Sequence, residues 1–212
     1  PSSTATNTPT STATATPTLN PAYSHTLTLQ QRLMPDTSYT GCDDATLVQL
    51  EPDYPHTPSG MYLRIGGSGI EKTGVQRWDL DGFIPAWAVV TAARLEIYAF
   101  YESNVGDSEV TLYQLVRRFI GDEATWNNAH DDERWGAPGA KSTSSDIIGL
   151  PAASTWLTQT NRWYTFDVTA MVQQWVAQPP TNKGYVLRTT DGGNVEFGVA
   201  SCRYAYDPLL RP

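Results

Sequence analysis

Hydrophobic and polar residues alternate along most of the chain after its first 22 positions, and this two-residue period predicts β-strands. The segments with such alternation or with a short apolar run are 23–30, 46–50, 61–65, 75–80, 92–100, 109–116, 163–168, 184–189 and 195–200. Val172, Trp175 and Val176 instead follow helical spacing, which predicts one short helix over 169–176. Many short strands with one helix are typical of an all-β, antiparallel β-sandwich with jelly-roll-like connections.

The N-terminal tail has a different pattern. Threonine occupies every even position, at Thr4, Thr6, Thr8, Thr10, Thr12, Thr14, Thr16 and Thr18. Ser/Thr/Pro-rich composition is typical of an O-glycosylated stalk. Strict alternation would also place all eight hydroxyls on one face of an extended strand, which could add to another sheet. We therefore predict two regions, an extended linker or donor strand over 1–22 and a β-sandwich domain over 23–212.

Composition and charge indicate an extracellular protein. Hydrophobic residues make up 40% of the chain, enough for a sizeable core, and the formal net charge is −8. An acidic protein is a poor partner for nucleic acid or anionic membranes. The sequence has no apolar run near the roughly 20 residues of a membrane span, so membrane insertion is not expected. We predict a protein that is secreted or held at the cell surface.

The two cysteines, Cys42 and Cys202, lie near opposite ends of the predicted domain. In a secreted protein such a pair is expected to form a disulfide. Closing so long a loop would stabilise the fold by up to ~5 kcal/mol in the chain-entropy model. Two free buried thiols are the alternative.

Three stretches resemble one known family. They are 75–80 (VQRWDL) with Ile84-Pro85 and 89–98 (VVTAARLEIY); 123–128 (EATWNN) with Trp135 and Pro138-Gly139; and 163–175 (WYTFDVTAMVQQW) with 182–184, 197–201 and 208–212. Together they resemble the DNRLRE-domain family, which is similar to carbohydrate-binding modules attached to alginate lyases. The resemblance covers roughly residues 26–212. It implies a non-catalytic jelly-roll module of secreted or surface-anchored bacterial or archaeal proteins.

The chain departs from that family at three places, one of which is a longer region over 40–60. Trp87 stands where the family has a small residue, and the chain stops at Arg211-Pro212, where the family opens a last strand. One interpretation is a sandwich without its last strand, completed by an extended strand from a neighbouring copy. The other is a trimmed chain. Both stay open at this point.

The resemblance makes polysaccharide recognition at a surface or matrix the first functional hypothesis. Loop aromatic rings would stack on sugar faces and arginines would bind uronate carboxylates. The candidate contacts are Trp87, Tyr54, Trp135, Trp156, Arg117 and Arg134. The alternative is a structural subunit of an extracellular filament, assembled by donation of the N-terminal strand to the next subunit. The expected partners are therefore a polysaccharide or copies of the chain itself.

Catalytic chemistry is not expected. His25, His56 and His130 are isolated in sequence, and no nucleophile motif accompanies them. A structural Ca²⁺ ion is a weaker possibility, because Asp36, Asp43 and Asp44 cluster in one loop and hard oxygen ligands suit that ion. A solvated acidic loop explains the same residues. No other cofactor is indicated.

Overall fold

The computed structural model of the chain describes residues 24–56, 62–66, 70–189 and 194–212, and for 62–66 the course of the backbone. The tail over 1–22 lies outside the described residues. The strands are β1 (Cys42–Val48), β2 (Tyr62–Gly66), β3 (Lys72–Trp78), β4 (Arg94–Glu102), β5 (Ser108–Gln114), β6 (Asn128–His130), β7 (Glu133–Arg134), β8 (Ala153–Leu157), β9 (Arg162–Asp167), β10 (Tyr185–Thr189) and β11 (Glu196–Ala200). The helix α1 spans Thr169–Ala177.

Strand pairing defines two antiparallel layers. The first sheet has the order β8-β5-β10-β3-β1, and the second has the order β2-β11-β4-β9. They connect through β2 and β3, whose pairing is confined to Gly66 and Lys72. The short strands β6 and β7 form a separate ribbon. The prediction of an all-β antiparallel sandwich with one helix is confirmed.

The main core lies between the two sheets. Alternate residues of β4, including Leu95 and Ile97, point inward to meet Leu112 of β5 and Phe197 of β11. Leu112 and Phe197 are fully buried. Burying one such side chain contributes roughly 1.5–3 kcal/mol, so this seam is the main source of stability.

The first sheet is covered on its other face as well. A second apolar cluster joins Ala45 and Val75 of that sheet to Phe119, Trp126 and Ile147, which lie in the long connection between β5 and β8. This explains why β1 and β10 are buried at consecutive positions rather than at alternate ones. A strand buried on both faces has a continuous apolar or small-residue pattern. In the second sheet, β11 is likewise buried at all five positions, whereas β9 and the first half of β4 are buried only at alternate positions.

The helix α1 packs with Met171, Trp175 and Val176 toward the protein. Its first turn is tied to the residue directly before β4, because the amide N–H of Ala93 donates to Thr169 Oγ1 at 2.9 Å. Pro179 follows soon after the helix, and a proline there prevents the helix from continuing. The helix prediction over 169–176 is therefore correct to within a residue.

One strand prediction is wrong. Residues 24–29 carry no strand, and Gln30 makes only an isolated bridge with Met34. The alternating residues His25 and Leu27 are exposed, since no neighbouring strand pairs with them. Alternation indicates a strand only where a second strand supplies hydrogen bonds. The structure also adds β8, which the sequence pattern did not predict.

Candidate interaction surface

The outer surface of the second sheet carries a group of aromatic side chains. We call it the outer aromatic face, and its members are Tyr98, Phe100, Tyr101, Trp163, Tyr204 and Tyr206. Its origin is the alternation of β4, in which Ile97 and Ala99 face the core while Tyr98 faces outward. Trp163 of β9 lies directly opposite Tyr98 in the strand register.

The rings of this face are in mutual contact. The centroids of Tyr98 and Trp163 are 5.4 Å apart in an edge-to-face arrangement. Phe100 and Tyr204 are 5.0 Å apart, and Tyr204 and Tyr206 are 5.8 Å apart. Such ring pairs contribute ~0.5–1.5 kcal/mol each beyond area burial. The contacts form two groups of rings, Tyr98 with Trp163, and Phe100 with Tyr204 and Tyr206.

A bulge and a glycine shape the middle of the face. The register of β4 and β11 shifts between Gly198 and Val199, so that Phe100 is the additional residue of β4. A bulge re-aims the side chains beside it. Tyr101 then pairs with Gly198, which has no side chain to stand beside the tyrosine ring. Tyr101 remains 45% exposed.

The segment after β11 holds the remaining two tyrosines in place. Gln30 Nε2 donates to the carbonyl oxygens of Leu209 at 3.1 Å and Arg211 at 2.7 Å. The Arg211 guanidinium donates in turn to the carbonyl oxygens of Tyr204, at 2.9 Å, and Gln31, at 3.0 Å. These bonds fasten the last residues of the chain to residues 30–31.

The Tyr204 hydroxyl remains neutral at physiological pH. Burial raises the pKa of Tyr204, and the nearby Tyr98, Tyr206 and Asp207 raise it further. A neutral phenol can both donate and accept a hydrogen bond. The face thus offers apolar area together with uncharged polar groups.

A second feature of the surface is an open groove of about 820 Å³ between α1 and the first residues of β8. Its lining includes Val90, Ile148, Leu150 and Met171. Leu150 is 78% exposed at its rim. The groove and the outer aromatic face are lined by different residues, so each can be altered without touching the other.

The predicted carbohydrate contacts do not form one site. Trp87, Tyr54 and Trp156 are exposed, and they stand on a loop before β4, a loop after β1 and strand β8. Trp135 is buried, and its indole N–H donates to the carbonyl oxygen of Thr125 at 3.0 Å. A buried ring cannot stack on a sugar, so that assignment is wrong.

The two predicted arginine contacts also differ from expectation. Arg117 forms ion pairs with Glu133 and with the fully buried Asp146, the latter at 2.9 Å. It is therefore used inside the protein to hold the connection between β5 and β8. Arg134 is exposed on the short strand β7.

The predicted calcium ligands point to different partners. Asp36 accepts hydrogen bonds from Ser38, and Asp43 accepts one from the amide of Gly121 at 3.0 Å. Asp44 is fully buried and faces Cys202. Binding of Ca²⁺ stays a prediction.

Two of the histidines lie in separate places, His56 beside Glu51 and His130 beside Glu133.

The cysteines form the disulfide Cys42–Cys202, with 6.0 Å between their Cα atoms and 160 residues between them in sequence. It links the first residue of β1 to the second residue after β11. Gln76 Nε2 lies 3.1 Å from the sulfur of Cys202, and Asp44 Oδ2 accepts the amide N–H of Cys202 at 2.7 Å. A buried carboxyl group therefore lies directly beside the disulfide.

Asp44 has an unusual environment for a carboxyl group. Its Oδ1 has no hydrogen-bond partner among the described residues. Burial raises the pKa of Asp44 to about 6, and the Asp43 carboxylate adds to this effect, whereas the Cys202 N–H and the Arg203 guanidinium oppose it. The carboxyl group is thus protonated in mildly acidic solution while the protein is folded.

This environment predicts a pH-dependent stability. Because the folded pKa of Asp44 is about 6 and the unfolded value is 3.8, its contribution is greatest below the unfolded pKa and is lost as the pH rises through 6. Between about pH 4 and about pH 7.5 the wild type is expected to lose ~2 kcal/mol more free energy of unfolding than Asp44→Asn. Urea unfolding of both proteins across this range measures the difference. Parallel pH profiles would contradict the assignment.

The outer aromatic face was missed in the sequence. Tyr98 lies inside the strand predicted over 92–100 and Trp163 begins the one predicted over 163–168, but neither is among the predicted contact residues. The available signal was parity, since Tyr98 alternates with the more strongly apolar Leu95, Ile97 and Ala99. Which parity faces the core becomes clear only when the partner strand is known.

Within the described ranges, the structure contains no helix that has the length and apolar character needed to cross a membrane. The chain matches a known protein family. The model of the TGF-beta propeptide matches residues 78–199, more than half of the 212 residues. The match begins at the last residue of β3, continues through both sheets and α1, and ends in β11.

This match overturns the resemblance to the DNRLRE-domain family and to carbohydrate-binding modules. The motifs that suggested it coincide with packing positions, since Trp126 and Trp175 are buried core residues. Buried aromatics and strand-ending turns recur in unrelated sandwiches because they satisfy the same packing rules. The resemblance therefore reflects a shared β-sandwich architecture and not common ancestry.

The functional assignments that followed from the resemblance are also wrong. Polysaccharide binding, a filament built by strand donation, and polysaccharide or self-copies as partners all conflict with the matched family. A prokaryotic source has no support, whereas the extracellular location agrees with a secreted family. The propeptide domain of this family is non-catalytic. The chain belongs to the TGF-beta propeptide family.

Proposed function

We propose that the chain is an extracellular, non-catalytic propeptide-type domain that associates with a mature TGF-beta growth factor. The observation that carries this proposal is the family match over residues 78–199. It spans strands of both sheets and the helix, so it concerns the folded body of the domain rather than a single motif.

The surface chemistry supports a role in protein binding. Tyrosine and tryptophan are enriched where proteins meet, because their rings offer large apolar area at a small loss of conformational entropy. The outer aromatic face presents both residue types on a regular sheet. The net charge of −8 favours association with a basic partner by electrostatic steering.

A non-catalytic role is consistent with the arrangement of titratable groups. Where the structure describes them, the histidines lie on separate elements, and Asp44 and Asp146 are enclosed among structural partners. General acid–base catalysis needs a titratable group within hydrogen-bond reach of a bound substrate. Asp44 and Asp146 instead accept hydrogen bonds from backbone amides of the fold.

The proposal is tested by direct binding. The full chain is immobilised through its N-terminus, and mature TGF-beta is passed over it at about 0.15 M salt, where long-range electrostatic attraction is largely screened. We expect saturable binding with a Kd of about 1 μM or tighter, as suits a protein interface of ordinary size. An unrelated basic secreted protein of similar size serves as the control. Equal retention of the two proteins, or none of either, would refute the proposal.

A further inference from the structure

We infer that the outer aromatic face is the surface on which the growth factor docks, an inference that rests on the proposed function. The occupant is a folded protein with an apolar patch surrounded by basic side chains. The shape of the face, its rigidity and the charge around it support this docking surface.

The shape of the face suits a folded protein better than an extended peptide. The rings stand on paired strands of one sheet, and Gly198 leaves the position next to Tyr101 without a side chain. The surface is therefore broad and shallow. Standard protein interfaces bury roughly 800 Å² on each partner, so the exposed rings of Tyr101, Trp163 and Tyr206 would form the centre of such an interface and neighbouring residues would supply the rest of its area.

The exposed part of the second sheet is its β4–β9 side, where alternate residues are exposed, whereas β11 is buried at all five of its positions. The connection between β5 and β8 packs over the outer side of the first sheet through Phe119, Trp126 and Ile147. The segment containing Tyr204 and Tyr206 packs against Phe100 of the second sheet. Trp163 is 40% exposed and Tyr206 is 74% exposed. Contiguous exposed apolar area of this kind marks interaction sites on soluble proteins.

The face is rigid before any partner arrives. Tyr98 and Trp163 are locked by the β4–β9 register, and Tyr204 is held by the bond from Arg211. Side chains already fixed in position lose little conformational entropy on binding. A prearranged ring cluster is the type of surface in which a few residues dominate the binding energy.

Charge around the face favours a basic partner. Glu96 is exposed on β4 two residues before Tyr98, and Asp207 adjoins Tyr206 and raises the pKa of Tyr204. Arg162 supplies a positive charge, but its guanidinium lies 5.2 Å from the centre of the Tyr164 ring and is already engaged there. Arg94 is exposed on the same side of β4, where it lies opposite Asp167 in the strand register. With the net charge of −8, this arrangement favours a basic partner.

The test compares two sets of exposed residues. The face set combines Tyr101→Ser, Trp163→Ser and Tyr206→Ser. The matched control set combines Tyr54→Ser, Trp87→Ser and Leu150→Ser, which remove exposed apolar area at other places on the domain. Both proteins are measured against mature TGF-beta in the binding assay above. We expect the face set to weaken the Kd by ~100-fold or more and the control set by less than ~3-fold, since loss of two or more central interface residues has effects of that size.

Folding of each protein is checked by thermal unfolding, and Tyr206→Ser alone serves as a second variant because Tyr206 lies in a loop and is mostly exposed. We expect this single change to weaken binding by ~5-fold or more. Wild-type affinity in the Tyr206→Ser protein and in the folded face set would overturn the docking surface and leave the proposed function standing. Failure of the wild type to bind overturns both. Loss of binding in the control set alone places the contact elsewhere and also overturns the inference.

Discussion

Replacement of Cys42 and Cys202 by alanine is expected to lower the free energy of unfolding by ~5 kcal/mol. The disulfide closes a separation of 160 residues, and the chain-entropy model assigns about that value to a loop of this length. The bond ties β1, which is the edge of the first sheet, to the residues that follow β11 in the second sheet. Without it, the unfolded chain regains the freedom that the cross-link had removed.

Urea unfolding of the wild type and the double variant measures this loss. Alanine is a suitable replacement because both cysteines are buried, with exposures of 6% and 0%. The reducing agent TCEP supplies a control, since it should destabilise the wild type and leave the Cys42→Ala, Cys202→Ala protein unchanged. A decrease of less than ~1 kcal/mol in the double variant would show that the cross-link contributes little.

The Asp146→Ala variant is expected to lose ~4 kcal/mol of stability. Asp146 is fully buried and accepts four hydrogen bonds, from Arg117 Nε at 2.9 Å and from the amides of Gly136 at 2.7 Å, Ala137 at 3.0 Å and Ser142 at 3.0 Å. Removing the carboxylate leaves the arginine and three amides without their acceptor. Breaking a buried ion pair on one side typically costs ~3–5 kcal/mol.

A matched control is available in Asp36→Ala. Asp36 also accepts a backbone amide, from Ser38 at 2.8 Å, but it is exposed to solvent. Its loss should change the free energy of unfolding by less than ~1 kcal/mol, because water replaces the missing acceptor. Equal effects of the two substitutions in denaturant unfolding would mean that Asp146 does not organise the connection between β5 and β8.

Asp146 also affects the candidate surface indirectly. The connection that it organises covers the first sheet, whereas β4 and β9 of the second sheet keep alternate residues exposed. A partly unfolded connection would expose a second apolar surface on the first sheet. Binding measurements on Asp146 variants therefore require a folded control, and the thermal unfolding transition provides it.

The strands were largely predictable where the local pattern agrees with the tertiary environment. Strand β4 alternates and faces the core on one side only, so its period is visible in the sequence. Strand β1 was predicted too late in the chain, over 46–50 instead of Cys42–Val48. Its first residues are polar, and Asp44 is buried there because the disulfide and Cys202 enclose it. No local pattern predicts a buried aspartate.

The candidate surface was harder to predict than the fold. Its members come from β4, β9 and the segment after β11, which are separated by about 60 and 40 residues in sequence. Their proximity depends on the order β11-β4-β9 and on the bonds from Gln30 that fasten the C-terminal residues. The aromatic residues that were predicted one by one as contacts are dispersed over the surface or, in the case of Trp135, buried.

The sequence by itself determined that this is an extracellular β-sandwich with one short helix, because hydrophobic period and composition are local properties that survive without knowledge of contacts. Only the tertiary structure decided which side of each sheet would be covered, which aspartate would be buried beside the disulfide, and which aromatic rings would meet at the surface. These features arise from pairing between distant strands, and a strand shows the same alternation whichever of its faces the rest of the chain covers.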